Sequence, residues 1–156
     1  MAEAVKVEKS VAASPESVYD LVSDVTRMGE WSPETTSCRW LGGVAAPVVG
    51  ARFRGSNRRG WRRWSTTCTV AAADRGRRFA FDVAFGPLPI ARWTYEFAAE
   101  GDGCRVTESF VDRRPSWMVM MDPTIMGIGD RGQHNRETME ATLASLDRYV
   151  TSEAAT

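Results

Sequence analysis

The chain has 156 residues, with twenty basic and twenty acidic side chains and a formal net charge of zero, a size at which folding buries roughly 70% of the unfolded surface around one core. No global field recruits nucleic acid or an anionic membrane, so a neutral or apolar partner is expected. The first ten residues hold no apolar export segment, no stretch nears eighteen uninterrupted apolar residues, and Cys38, Cys68 and Cys104 include no CxxC pair, which together predict a cytoplasmic protein with reduced thiols and no metal site.

Val5, Val7 and Val11 alternate with Lys6, Glu8 and Ser10, the period of a strand with one wet face, and Lys9 falls on the inner phase. A helix is predicted next, because Ser14 is a good N-cap, Pro15 suits the first helical position, and Val18, Leu21, Val22 and Val25 form an apolar stripe. Met28-Gly29-Glu30-Trp31 reads as a second helical turn, stopped at Ser32 because a residue before proline is pushed out of the α region.

From Thr35 the period becomes two, predicting strands near residues 36–41, 51–57, 64–73, 77–84, 91–99 and 104–112. They are separated by Arg59-Gly60, Asp74-Arg75-Gly76, Gly86-Pro87-Leu88-Pro89 and Gly101-Asp102-Gly103, all of turn chemistry. Breaks this short make an antiparallel meander. A period near 3.6 returns over about residues 124–150, where Ile128, Gly132, Asn135, Met139, Leu143, Leu146 and Val150 share one stripe. Two dozen helical residues span roughly 36 Å, enough to cross a sheet. Residues 1–150 are expected to form one α+β domain, and residues 151–156 a frayed tail.

This order of elements resembles the START-like, helix-grip superfamily often labelled SRPBCC, which includes polyketide cyclase/dehydrase-like proteins. The likeness covers nearly the whole chain and is carried by Val11-Ala12-Ala13-Ser14-Pro15-Glu16-Ser17-Val18, by Trp31-Ser32-Pro33-Glu34, and by Thr138-Met139-Glu140-Ala141-Thr142-Leu143-Ala144-Ser145-Leu146. The resemblance implies a seven-stranded curved antiparallel sheet wrapped around the last helix, with two short helices after the first strand and a cavity between sheet and helix. It implies little about reaction, because one superfold hosts many functions.

The strand phases bear on that cavity independently. Phe53, Gly55 and Asn57, then Trp64, Thr66 and Cys68, Phe79 and Phe81, Trp93, Tyr95 and Phe97, and Val106, Glu108 and Phe110 all fall on one face. That face is dry and aromatic, which suits either a plain core or a small-molecule site. Candidate ligand-binding residues are Trp31, Phe53, Asn57, Trp64, Phe81, Trp93, Tyr95, Glu108, Asn135 and Met139.

Glu108 is the sharpest of these, since an unpaired carboxylate on a dry face is costly and responds with a raised pKa. Either Lys9 pairs with it, the first and last strands being neighbours in this fold, or it faces the cavity as an anchor or a general acid/base. His134, the single histidine, is the second catalytic candidate, although it lies one position off the apolar stripe. The run Arg52, Arg54, Arg58, Arg59, Arg62 and Arg63 with Trp61 and Trp64 looks superficially like a nucleic-acid patch, but it reads better as a solvated outer face and hairpin.

No nucleophile elbow, phosphate loop, dinucleotide fingerprint or metal-ligand spacing is present, so no cofactor is expected. Two functions stay open: a binder of an apolar small molecule such as a lipid, sterol or polyketide-like aromatic, or a cyclase/dehydratase working by acid/base chemistry in the same cavity. Membrane insertion is not expected, and a homodimer is compatible with the sequence.

Overall fold

The computed structural model describes the backbone of residues 4–117 and 131–154 and the side chains of residues 4–117 and 135–152. The elements run β1 (Ala4–Val11), α1 (Pro15–Ser23), a 3-10 turn (Val25–Arg27), α2 (Met28–Trp31), β2 (Thr35–Trp40), β3 (Arg52–Arg59), β4 (Arg62–Asp74), β5 (Arg78–Phe85), β6 (Leu88–Glu100), β7 (Gly103–Asp112) and α3 (Arg131–Ala154). All seven strands form one open sheet in the order β1-β7-β6-β5-β4-β3-β2, antiparallel throughout. Strands β2 to β7 are a meander, and β1 closes the order by pairing with β7.

Local chemistry sets these boundaries. The Ser17 backbone N–H donates to Ser14 Oγ at 3.1 Å, and Pro15 opens α1 behind it. Two-residue turns join β3 to β4 and β5 to β6, with Gly60 at φ 61° and Gly86 at φ 59°, a backbone conformation that side-chain-bearing residues rarely adopt. Shifts of register between Thr35 and Ser37, Val70 and Ala72, and Val83 and Ala84 bend their strands.

The final helix lies mainly over β1 and touches β7 and α2 more lightly. Met139, Leu143, Leu146 and Val150 are buried on its inner stripe. Its C-terminal half is tied to α2 by Tyr149, whose ring meets Trp31 edge-on at 5.2 Å while the Arg27 guanidinium stacks over both. On the far side of the sheet's inner face, Tyr19 of α1 makes edge contacts with Phe79 and Phe97. The helix pair therefore caps one end of the concave face.

The predicted fold is the observed one, with differences at the element ends. Strand β6 starts at Leu88, three residues earlier than expected, because Gly86-Pro87 alone completes the turn and Pro89 is accommodated beside a bulge. The final helix continues through residues 151–154, where a tail was expected, since neither glycine nor proline stops it there. Its predicted first turns, residues 124–130 with Ile128, lie outside the described residues.

Gly29 fixes how closely α2 approaches β2, because a Cβ there would lie 2.9 Å from the Thr36 carbonyl oxygen, a backbone atom that cannot rotate away. Gly29→Ala is expected to destabilise the protein by about 1–3 kcal/mol, the usual cost of overpacking. Chemical denaturation of the variant checks this, and unchanged stability would mean that α2 and β2 are not so closely docked.

Candidate functional site

Between the half of the sheet that α3 leaves uncovered and the helices lies a cavity of about 1060 Å³, at the upper end of what small-molecule sites occupy. Its wall comes from alternate residues of β3 to β7. Phe53, Asn57, Trp64, Phe81, Trp93, Tyr95 and Glu108 all line it, as the strand phases predict, and Asn135 lines it from α3. Phe53 meets Phe81 at 5.2 Å and Trp93 meets Phe110 at 4.8 Å, both edge-on, so the aromatic wall is itself packed.

Trp31 and Met139 are not in that wall. Trp31 is buried against Tyr149 and Arg27, and Met139 is fully buried in the core beneath α3. Apolarity and position alone do not separate core from cavity lining for these two residues. Of His134, only the backbone is described, as part of α3, and its side chain lies outside the described residues.

Glu108 is 2% exposed and lies in the sheet between Val7 of β1 and Tyr95 of β6. The Tyr95 hydroxyl donates to its Oε1 at 2.6 Å, while Oε2 has no hydrogen-bond partner among the described residues. Of the two alternatives for Glu108, the Lys9 pair is absent: Lys9 stands opposite Val106, and its ammonium reaches Asp147 of α3 at 3.9 Å. Lys9 belongs to the edge strand, where its side chain leaves the wall for the helix and solvent, so the cation never enters the interior.

Without a cation, burial dominates the chemistry of Glu108 and pushes its pKa up to about 8, against a smaller downward effect of the Tyr95 hydrogen bond. The same burial, with Glu108 beside it, holds the Tyr95 phenol well above its ordinary value. At neutral pH the pair is therefore mostly a neutral acid beside a neutral phenol. A protonated carboxyl has an O–H to donate, which a carboxylate lacks.

The Asn135 side-chain nitrogen is also buried without a hydrogen-bond partner among the described residues. Thr138 and Thr142 join Asn135 in the wall at helical spacing, although the Thr142 hydroxyl donates to the Thr138 carbonyl at 2.9 Å. Asn57 accepts from the Thr35 hydroxyl at 3.2 Å. Cys38 and Cys68 also face the cavity, and burial raises their thiols to about 11 and about 12, which keeps them protonated and unreactive. No group of His, Cys, Asp and Glu suited to a metal converges among the described residues.

Sequence reasoning missed four parts of the wall that had a legible signal. Thr138 and Thr142 sit three and seven positions after Asn135, on one helical face, and Arg59 and Arg62 continue the inner phases of Asn57 and Trp64. As a run of like charges, the arginines read with their outward neighbours as one solvated surface. The structure separates them, with Arg52 and Arg54 on the outer face and Arg59, Arg62 and Arg63 at the cavity lip.

An antiparallel sheet gripping its final helix beside a largely apolar cavity defines the helix-grip class of fold. The chain belongs to the family described as polyketide cyclase / dehydrase and lipid transport, whose model matches residues 2–150. A polyketide-cyclase-like protein of Corynebacterium glutamicum is similar at 31% identity, with 99% of this chain and 94% of that one covered and a TM-score of 0.68. The fold is shared with the protein TTHA0849 of Thermus thermophilus, at 20% identity, 97% and 99% coverage and a TM-score of 0.67. It is shared also with a major latex-like protein of Panax ginseng, at 10% identity, 95% and 97% coverage and a TM-score of 0.71. No curated protein sequence matches the chain. None of the helices, among the described residues, is long and apolar enough to cross a membrane.

The raised Glu108 pKa has a thermodynamic consequence with a definite sign. Between about pH 4.5 and about pH 8 the unfolded chain has lost this proton while the folded chain keeps it, so stability falls as pH rises through that window, by up to about 1.4 kcal/mol per pH unit. Glu108→Gln mimics the neutral acid and is expected to match the wild type near pH 5 and exceed it near pH 9. Parallel pH dependence of melting temperature in the two proteins would contradict this.

Proposed function

We propose that the chain binds an apolar small molecule, of the lipid, sterol or polyketide-like aromatic kind, inside this cavity, with Glu108 and Asn135 anchoring a polar group of the ligand. One observation carries the reading: a largely apolar space of about 1060 Å³ has three buried polar atoms in its wall with no hydrogen-bond partner among the described residues, Glu108 Oε2 and Asn135 Nδ2 in its interior and Arg59 Nη1 on the β3–β4 side. Such groups cost roughly 1–3 kcal/mol each when left unsatisfied, and a ligand group that accepts or donates to them recovers that cost. The family description names lipid transport beside cyclase and dehydrase chemistry, which is consistent with an apolar cargo.

The expected affinity follows from area. Burying about 300 Å² of apolar ligand surface at roughly 25 cal/mol/Å² contributes about 7 kcal/mol before association costs, which corresponds to micromolar binding or weaker.

A second reading, a cyclase or dehydratase, is favoured by one specific feature. The Glu108 pKa of about 8 lies near neutrality, where a single group both donates and accepts protons efficiently. The Tyr95 hydroxyl fixes its orientation. In that role Glu108 protonates a bound carbonyl or removes an adjacent acidic C–H, and the cavity shape selects the folded form of the substrate.

Binding of a hydrophobic fluorescent probe is expected to saturate at about one site per chain with micromolar affinity. Trp93→Ala removes a large part of the wall while Phe110 keeps its other neighbours, so affinity should fall by about tenfold with only a modest drop in melting temperature. Undiminished binding by the folded variant would place the pocket elsewhere. Native mass spectrometry of freshly purified protein, with extraction of anything bound, identifies the natural ligand.

A further inference from the structure

The lip of the cavity carries a charge arrangement that packing alone does not explain. Between residues 52 and 73 there are six arginines and no acidic residue. Four of these arginines meet on two successive rungs of the β3–β4 ladder, Arg58 opposite Arg63 and Arg59 opposite Arg62. Like charges directly opposite one another destabilise a sheet.

The pleat divides the four. Arg59 and Arg62 continue the inner phase set by Phe53, Gly55, Asn57 and Trp64, and both line the cavity. Arg62 also stacks on Trp61, at 5.4 Å from its ring centre. Nη1 of Arg59 is buried and has no hydrogen-bond partner among the described residues. The other ionisable residues of the lining are Arg63 and Arg114, of which Arg114 is held by Asp112 at 2.6 Å, the carboxylate Glu34 and the buried acid Glu108.

A guanidinium nitrogen withdrawn from water without a partner is a recognition element for a planar anion, because its fork matches carboxylate geometry. Resting on the cavity reading above, we propose that the ligand is an amphiphilic carboxylate. Its charged head is bound by Arg59, beside Arg62, at the lip, and its apolar body lies along Trp64, Phe81 and Trp93 toward the neutral, hydrogen-bonding end at Glu108 and Asn135. The charge order inside the cavity then has a purpose, with cations at the opening and an uncharged acid at depth.

The test compares cis-parinaric acid with its methyl ester, both as monomers, on the full chain at neutral pH. The wild type should bind the acid at least tenfold more tightly than the ester. Arg59→Met, which keeps the aliphatic stem, should weaken acid binding about tenfold, leave ester binding unchanged, and leave the melting temperature equal or higher because a repulsive rung is relieved. Arg59→Lys, with charge but no fork, should fall between.

Equal affinity of the wild type for the two probes overturns the proposal while leaving the apolar cavity intact. Equal loss of both probes in folded Arg59→Met overturns it also, making Arg59 a general support of the wall. Adsorption to anionic phosphatidylglycerol vesicles without preference for the monomeric acid overturns it in favour of a membrane-docking lip, with Trp61 at its tip. Failure of both probes to bind the wild type removes the cavity reading itself, and this proposal with it.

Discussion

One helix cannot cover seven strands. The inter-strand spacing gives the sheet a width of roughly 29 Å, whereas a helix with its side chains is about 10 Å across. Helix α3 lies over the β1 edge, where Met139, Leu143 and Leu146 bury their side chains, and the inner faces of β3 to β6 are left for something else to fill. The bulges bend those strands, and α1 and α2 cap one end. The space that results is a consequence of the topology, and the aromatic residues on it are large enough to wall it without filling it.

That geometry also decides the electrostatics. Glu108 is on β7, the strand beside β1, deep in the interior and far from the wet outer face, and its hydrogen-bonding neighbour is a phenol rather than a cation. Desolvation therefore prevails, and the acid keeps its proton at neutral pH. A buried ammonium in its place as partner would have fixed a carboxylate and closed this end of the cavity with an ion pair. The edge position of Lys9, which carries its side chain to Asp147, keeps the site uncharged and able to donate. Proton affinity here is set by where strands lie in the sheet.

Much of this was legible in the sequence because period-two alternation is preserved along β3 to β7. Once the phase is known, Phe81, Trp93, Tyr95 and Glu108 must share a face, and the cavity wall follows nearly residue by residue. What alternation does not give is depth. Trp31 and Met139 are as apolar as Trp93, and only the packing of Tyr149 and α3 shows that they are core. Nor does it give partners: Lys9 and Glu108 share a phase, yet the direct neighbour of Glu108 on β1 is Val7, and its hydrogen bond comes from the other side. The arginines illustrate a third limit, since a run of like charges reads as one surface until the pleat assigns alternate members to opposite faces.

The most direct test of an interior apolar site is to map where an apolar aromatic molecule goes. In heteronuclear NMR titrations with a probe such as naphthalene, signals from Gly55, Phe81, the Trp93 indole and the Asn135 side-chain amide should shift together and saturate, while those of Arg54, Thr67 and Thr94 on the outer face stay in place. Shifts concentrated on the outer face, or saturation with the Trp93 and Asn135 signals unmoved, would contradict a ligand site between the sheet and the final helix.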